Sequence, residues 1–372
     1  MFLTNSKFCV LGLVVTFTFL FSSLNSCKVD PEITDGTLNG WVYAPQSYEL
    51  NIPQGLPPVL PSSENPMTVQ GVELGRMLFF DPILSGDSSL SCAGCHAPEF
   101  AFTDSEKQFS VGIDGIEGTR NSMPIFNMIY HPGQMFWDGR ASSLEDQALR
   151  PIEDPIEMHE TLPNVLDKLR RHDEYPRLFY EAFGEGMITT DLIAKAITQF
   201  ENSIISGNSR FDRAMRGEIF LTDDEVDGQI IFNDQMKGDC FHCHGINGGL
   251  FSDFTFRNNG LDAATKYSDF IDPGLGSVTL DTNDYGKFKV PTLRNIELTA
   301  PYMHDGRFET LEEVIDFYSE GVQAGPFTDP FMEFAHQDGV QLTDDEKQKL
   351  LAFLKSLTDT TFINDPAYQN PF

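Results

Sequence analysis

Apolar residues recur at three- and four-residue spacing along much of the chain, which is the periodicity of helices that bury one face. The clearest stretches are residues 161–183, 190–202, 311–319 and 343–357. The last stretch starts with Thr343 and Glu346 in the spacing of a capping box. Few segments alternate between apolar and polar residues as half-buried strands do. The pattern therefore predicts a mainly α-helical fold.

The first 26 residues show a different pattern, that of an export signal. Lys7 precedes an apolar run over residues 8–21, which is shorter than the roughly 20 residues needed to span a membrane. The sequence Leu24-Asn-Ser-Cys27 resembles the lipobox of bacterial lipoproteins, in which the cysteine becomes the acylated first residue. We expect a lipid anchor at Cys27 and a location on the periplasmic side of a bacterial membrane. The alternative is an ordinary signal peptide and a soluble exported protein.

The remainder of the chain repeats one order of short motifs. The first copy contains Gly75-x-x-x-Phe79, Cys92-x-x-Cys95-His96, Arg120-Asn121 and Asp138-Gly-Arg140, and the second contains Gly228-x-x-x-Phe232, Cys240-x-x-Cys243-His244, Arg294-Asn295 and Asp305-Gly-Arg307. A repeat of this length indicates duplication of one folded unit. We therefore predict an N-terminal domain over residues 67–215 and a C-terminal domain over residues 216–360. A Pro-rich segment, residues 27–66, precedes them as a tether.

Each Cys-x-x-Cys-His motif places two thiols on one turn, where they can add to the vinyl groups of a porphyrin. The adjacent histidine can then ligate the iron. This assigns two covalently bound haem c groups, held by Cys92, Cys95 and His96 and by Cys240, Cys243 and His244. The alternative is a zinc site, which needs four ligands. The two domains are accordingly expected to be cytochrome-c-like.

Acidic residues outnumber basic residues by 56 to 25, for a formal net charge of −31. Such a surface argues against binding to nucleic acid or to anionic lipid, and it suits a basic soluble partner. The alternative is that the charge only keeps an exported protein soluble.

Longer motifs surround the two haem-binding motifs. They are Gly118-Thr-Arg-Asn121, Phe136-Trp-Asp-Gly-Arg-Ala141, Pro155-Ile-Glu157-Met158, Val290-Pro-Thr-Leu-Arg-Asn295 and Thr299-Ala-Pro-Tyr-Met-His-Asp-Gly-Arg307. With these motifs the sequence resembles the bacterial di-haem cytochrome c peroxidases and the related MauG enzymes, from about residue 71 to residue 357.

The resemblance implies different roles for the two haems: the N-terminal haem reacts with peroxide, and the C-terminal haem receives electrons. It implies that Glu157 is the acid-base residue, that Gln147 is a hydrogen-bonding partner above the haem, and that Trp137 relays electrons between the haems. Taken alone, the first two are ordinary exposed polar residues and Trp137 is an ordinary core aromatic residue.

Some family members block the peroxide-binding position with a histidine at the place that corresponds to about Ile113. No histidine occurs between His96 and His131 in this chain, so we expect an open iron position without activation. His131 lies beyond that loop, and we expect it to be a surface turn residue before Pro132. In the alternative, His131 swings in and blocks the iron position.

The duplication itself predicts that the two haems differ. The residue thirteen positions after Asp138 is Pro151, and the residue thirteen positions after Asp305 is Tyr318. Proline offers no side-chain ligand, whereas a phenolate can ligate ferric iron. Tyr318 is therefore a candidate ligand of the second iron. In the alternative, Tyr318 belongs to the apolar face of a helix. Many family peroxidases have methionine at this position, and the MauG branch has tyrosine.

The resemblance also implies a calcium ion between the domains, bound by Asn121 and by the carbonyl groups of Thr299 and Pro301. Oxygen ligands of this type suit a hard cation. In the alternative, Asn121 caps a turn.

Together these features predict an enzyme that reduces hydrogen peroxide to water. A small periplasmic cytochrome c or a cupredoxin would supply the electrons, and a homodimer is compatible with the sequence. One alternative is a MauG-like di-haem oxidase of a partner protein, which Tyr318 favours. The other is a non-catalytic di-haem electron carrier, which would need both irons capped.

Overall fold

The structure is a computed structural model that describes residues 37–59, 62–104 and 106–372, without the side chains of residues 37, 38 and 247. The described part belongs to one compact unit. The expected signal peptide and the lipobox cysteine Cys27 lie outside the described residues. Within these ranges, no helix combines the length and the apolar character that crossing a membrane requires.

The fold is mainly α-helical, as predicted. The helices of the N-terminal half are α1 (Val69–Phe80), α2 (Leu144–Glu153), α3 (Leu162–Arg171), α4 (Tyr175–Phe183), α5 (Thr190–Ser203) and α6 (Arg210–Met215). Those that follow are α7 (Asp223–Asn233), α8 (Phe241–His244), α9 (Gly276–Thr279), α10 (Leu311–Glu320), α11 (Asp344–Ser356) and α12 (Thr360–Ile363). Two antiparallel pairs of short strands complete the fold, β1 (Thr37–Leu38) with β2 (Trp41–Val42) and β3 (Phe256–Arg257) with β4 (Phe288–Lys289).

Each half is organised around one closely packed helix pair, α1 with α5 and α7 with α11. A Cβ atom on Gly75 would lie 1.9 Å from the carbonyl oxygen of Ala196, and a Cβ atom on Gly228 would lie 2.0 Å from that of Lys349. Only glycine allows the two backbones to approach this closely. The repeated Gly-x-x-x-Phe motif therefore marks the same helix crossing in both halves.

One pairing in the expected duplication is wrong. Asn127 and Asn295 both adopt a left-handed backbone, with φ of 56° and 57°, before a short 3-10 turn. The backbone amide of Asn127 donates to a carbonyl just after α5 at 2.8 Å, and its side-chain oxygen accepts from an amide two residues further on at 3.0 Å. Asn295 makes the same two bonds just after α11, at 3.2 and 2.7 Å. Asn295 therefore corresponds to Asn127 and not to Asn121.

The two halves are also joined by ion pairs, one half-buried and one buried. Arg120 donates two hydrogen bonds to Asp272, at 2.7 and 2.8 Å, and a third contact of 2.6 Å reaches Asp138. Arg294, which is 1 % exposed, pairs in the same bidentate way with Asp212. Bidentate pairs of this kind fix orientation as well as distance. They hold the halves in the arrangement that positions the haem sites.

Chain segments at both ends of the described region pack against the N-terminal half. In the segment expected to be a tether, the ring of Trp41 lies 6.3 Å from that of Tyr180. Near the C-terminus, the ring of Phe362 stacks on that of Phe102, with 6.2 Å between the ring centres, and its centre lies 5.5 Å from that of Phe126. Part of the expected tether is thus held against the body of the protein.

Candidate haem sites

The first Cys-x-x-Cys-His motif forms one tight turn, in which the backbone amide of His96 donates to the carbonyl of Cys92 at 2.9 Å. The His96 side chain is oriented by its Nδ1 atom, which lies 3.0 Å from the carbonyl oxygen of Phe102. Burial lowers the pKa of His96, which favours the neutral imidazole. With Nδ1 bonded to a backbone carbonyl, Nε2 is the atom that can ligate a metal.

The second motif repeats this arrangement on α8. Nδ1 of His244 lies 3.3 Å from the carbonyl oxygen of Phe251. The backbone amide of His244 donates to the backbone carbonyl of Cys240 at 2.9 Å. Burial also lowers the pKa of His244. The two motifs therefore leave the same ring nitrogen, Nε2, free to ligate a metal.

The chemistry of the four thiols fits thioether bonds to haem better than a zinc site. Cys92, Cys95, Cys240 and Cys243 form no disulfide. Burial raises the pKa of Cys92 and Cys240 to about 12, whereas zinc binds the thiolate form. Among the described residues, no three His, Cys, Asp or Glu side chains are grouped so that they could hold a metal ion.

The N-terminal cavity brings together the residues expected to react with peroxide. His96, Gln147, Pro151 and Glu157 all line it. Ser143 begins α2 by accepting a hydrogen bond from the amide of Asp146, and this start places Gln147 and Pro151 four residues apart on one helix face. The cavity thus combines a haem motif with one amide, one carboxyl group and a proline that offers no ligand.

Glu157 lies in the turn after α2 and is held by its backbone. Its amide donates to the carbonyl of Asp154 at 3.0 Å, and its carbonyl accepts from the amide of Ile113 at 2.9 Å. Burial raises the pKa of Glu157 to about 6, and the neighbouring charge of Asp154 contributes to the increase. A carboxyl group with this pKa can both accept and donate a proton near neutral pH.

His131 was expected to be a surface turn residue, and this expectation is wrong. It lines the N-terminal cavity, and its ring lies 4.6 Å from that of Phe254 in the other half of the chain. Burial lowers the pKa of His131 to about 3, with a further contribution from Lys289. Neither His131 nor Lys289 stands in a motif that could have revealed it, because their proximity depends on how the two halves pack.

The C-terminal cavity contains Cys240, Cys243, His244 and Tyr318. Thr310 caps α10 as Ser143 caps α2, so Tyr318 and Pro151 each lie eight residues after the cap and occupy corresponding positions. The phenolic oxygen of Tyr318 accepts a hydrogen bond from Asn259 at 3.0 Å. Burial raises the pKa of Tyr318 to about 12, and the bond from Asn259 opposes this increase.

Trp137 lies at the boundary between the cavities. It is 8 % exposed and lines both of them. Its indole Nε1 donates to the backbone carbonyl of Asn121 at 2.8 Å. The backbone amide of Asn121 donates in turn to the carbonyl of His304 at 2.8 Å, in the second half. Asn121 therefore links Trp137, in the first half, to His304 in the second half.

The three residues expected to bind calcium are brought together at the C-terminal cavity, which Asn121, Thr299 and Pro301 all line. The Asn121 side-chain amide donates to the carbonyls of Lys107 and Gln108, at 3.3 and 3.2 Å. These bonds tie Asn121 to a segment thirteen and fourteen residues earlier in the chain.

Comparison with known proteins supports the relationship inferred from the motifs. Residues 69–219 match the family described as di-haem cytochrome c peroxidase, and residues 225–358 match the cytochrome c family. The cytochrome-c peroxidase IdrP1 of Pseudomonas sp. strain SCT is 33% identical over 332 residues, which is 82% of this chain and 84% of that protein. The methylamine utilization protein MauG of Methylophilus methylotrophus is 32% identical over 79% of this chain and 84% of its own length.

A solved structure shows the same fold. The crystal structure of a MauG-like protein associated with microbial copper homeostasis superposes with a TM-score of 0.79 at 35% identity, over 87% of this chain and 99% of that one. Two cytochrome-c-type domains with unpaired thiols and oriented histidines account for two haem c groups. On the sequence matches and the shared fold, the chain belongs to the di-haem cytochrome c peroxidase family.

Proposed function

We propose that this chain reduces hydrogen peroxide to water in the N-terminal cavity, with electrons that enter at the C-terminal haem. The observation that carries the proposal is the placement of Glu157, with its pKa near 6, in the same cavity as His96 and Gln147. When bound, the haem supplies an iron that exchanges electrons with peroxide.

Glu157 moves the proton that the reaction requires. Its ionised carboxylate accepts the proton of the inner peroxide oxygen, and the resulting carboxylic acid returns this proton to the outer oxygen. The bond between the two oxygens then breaks with release of water. Gln147 donates a hydrogen bond from its side-chain amide to the peroxide and orients it. Two electrons and two protons convert one peroxide molecule into two water molecules.

The different residues at corresponding positions support different roles for the two sites. Pro151 carries no donor or acceptor on its side chain, so the N-terminal cavity keeps space for peroxide. Tyr318 presents a phenolic oxygen to the C-terminal cavity, and we propose it as the sixth ligand there. With Tyr318 holding its iron, the C-terminal haem would supply electron transfer and not peroxide chemistry. Trp137, which lines both cavities, is the proposed connection between them.

The proposed donor is a small basic cytochrome c or cupredoxin. A net charge of −31 would attract such a protein over a long range and make its docking sensitive to salt. We place the two proteins in the periplasm, with this chain anchored through Cys27. We also propose that the two domains cover residues 67–215 and 216–360. A calcium ion is proposed at Asn121, Thr299 and Pro301, because these three residues line the C-terminal cavity.

A second function is favoured by Tyr318, because tyrosine at this position is typical of the MauG branch. In that function the oxidising equivalents stored after peroxide cleavage would be used to oxidise a partner protein. The two functions differ in what returns the electrons, and a small reduced cytochrome distinguishes them.

The experiment mixes the ferric, haem-loaded protein with peroxide, adds a reduced small cytochrome c and follows oxidation of the cytochrome. Rapid turnover supports the peroxidase, whereas a long-lived oxidised state that ignores the cytochrome supports the MauG-like function. Glu157→Gln should abolish turnover, while Glu153→Gln, an exposed carboxyl group at the end of α2, should leave it unchanged. Wild-type turnover in Glu157→Gln, at full haem content, would overturn the role of Glu157.

A further inference from the structure

Lys289 is a buried cation without a matching anion. It is 2 % exposed and lies in β4, in the C-terminal half. Its ammonium group donates to the carbonyl of Gly133 at 3.3 Å and lies 4.8 Å from the ring centre of Phe256. Within the described part of the chain, no carboxylate lies within salt-bridge distance of Lys289. One long bond to a carbonyl is little compensation for removing an ammonium group from water.

The position of Lys289 connects it with the haem sites, because it lines both cavities. Burial lowers the pKa of Lys289 to about 8, which is the expected effect of an environment that lacks a counter-charge. An anion bound in one of these cavities would stabilise the charged form of the lysine.

His131 provides a second buried nitrogen group at the same cavity, from the opposite half of the chain. Its ring nitrogen Nδ1 is buried, the residue lines the N-terminal cavity, and the one polar group that acts on the ring from the backbone is that of Gly133. It is near enough to Lys289 for the lysine charge to lower the pKa of the ring. Gly133, whose carbonyl accepts from Lys289, follows His131 by two residues.

The arginines of this cavity, in contrast, already have partners. Arg120 uses its donors on Asp138 and Asp272. Arg140 lies 3.1 Å from Asp138, and its guanidinium group stacks on Phe136 at 3.6 Å. Among the basic side chains that line the N-terminal cavity, other than the haem ligand His96, Lys289 and His131 are thus the two without a carboxylate partner.

We propose that Lys289 and His131 together form a carboxylate-binding site, which holds a propionate of the haem in the N-terminal cavity. A haem attached to cysteines through its vinyl groups still carries two carboxylates. The inference rests on haem loading at His96, which the proposed function shares. Because the lysine comes from the second half and the histidine from the first, one carboxylate would join the two halves at the reactive haem.

The test compares Lys289→Met with the control Lys287→Met. The control removes the same charge two residues earlier in the chain, where the lysine side chain is more exposed and is paired with Asp284. A cation near a haem disfavours the ferric form, so Lys289→Met should lower the midpoint potential of the N-terminal haem. It should also shift the propionate bending band in the resonance Raman spectrum. Lys287→Met should change neither quantity, and Lys289→Arg should retain both wild-type values.

His131→Phe provides an independent variant if Lys289→Met does not fold, because it removes the ring nitrogens and keeps an aromatic ring against Phe254. It should shift the same Raman band. The proposal is overturned if neither variant shifts that band relative to Lys287→Met. It is also overturned if added phosphate or chloride changes the wild-type potential but not that of Lys289→Met, since a solvent anion would then occupy the site.

Haem content and peroxide turnover are measured on the same wild-type preparation. A Raman shift in Lys289→Met with no wild-type turnover retains the carboxylate site and rejects the peroxidase. Normal turnover with no Raman shift in either variant rejects the carboxylate site alone.

Discussion

Asn259 donates a hydrogen bond from its side-chain amide to the phenolic oxygen of Tyr318, with a distance of 3.0 Å. The same nitrogen lies 3.7 Å from the sulfur of Met303. The side-chain amide of Asn259 is therefore shared between the Tyr318 oxygen and the Met303 thioether in the C-terminal cavity. A hydrogen bond to the oxygen stabilises the phenolate over the phenol. Asn259 therefore favours the form of Tyr318 that can ligate iron.

Replacing Asn259 with leucine should weaken this ligation while leaving the haem attached. We expect a shift in the ferric electronic spectrum and in the electron paramagnetic resonance signal of the C-terminal haem, and a higher midpoint potential. Asn283→Leu, at a site where the side chain bonds only to Asp281, is the matched control. Identical spectra for the two variants would show that Asn259 does not act on the ligand.

Replacing Asp154 with asparagine should move the acid limb of the pH profile. The negative charge of Asp154 contributes to the raised pKa of Glu157, so its removal lowers that pKa. Turnover, which needs ionised Glu157, should then persist to lower pH. Asparagine keeps the acceptor that Asp154 offers to the amide of Ile156. The exposed variant Asp167→Asn should leave the profile in place, and an unmoved limb in Asp154→Asn would contradict the assignment.

Replacing Glu201 with glutamine should stabilise the protein at neutral and alkaline pH. Burial, followed by the charge of Glu145, raises the pKa of Glu201 from its ordinary 4.5 to about 8. Because the folded pKa is the higher one, ionisation costs stability as pH rises from the unfolded pKa to the folded pKa. The gain should be about 3 kcal/mol at pH 7 and near zero at pH 4. Denaturant unfolding at both pH values tests this, and an equal gain at both would contradict it.

Replacing Gly75 with alanine should destabilise the fold, because the added carbon would lie 1.9 Å from a backbone oxygen of α5. Overpacking between two backbones should cost about 3 kcal/mol or more. Gly118→Ala is the control, since its Cβ atom would meet its nearest neighbour at an ordinary 3.6 Å. Thermal unfolding should separate the two variants clearly.

Replacing Trp137 with phenylalanine should slow electron transfer between the haems and reduce turnover by about tenfold or more, because the larger indole ring and its bond to Asn121 are lost. The other tryptophan of the chain provides the control, since Trp41 packs on Tyr180 away from both cavities. Equal turnover in Trp137→Phe and Trp41→Phe would exclude Trp137 as the connection.

The helical class, the two haem motifs and the family were accessible from the sequence, because each depends on residues close together in the chain. Helical periodicity and a Cys-x-x-Cys-His turn are local properties. The duplication was also recognisable, but its internal alignment was not. Asn295 was matched with Asn121 because both follow an arginine, whereas the backbone hydrogen bonds show that it corresponds to Asn127.

The sequence by itself determined that this protein carries two haem c units and that Pro151 and Tyr318 distinguish them. Only the tertiary structure decided which groups face the cavities across the boundary between the halves. His131 and Lys289 are 158 positions apart, yet both line the cavity that the first haem motif also lines. The physical reason is that burial and charge pairing depend on packing between the halves, which no local pattern records.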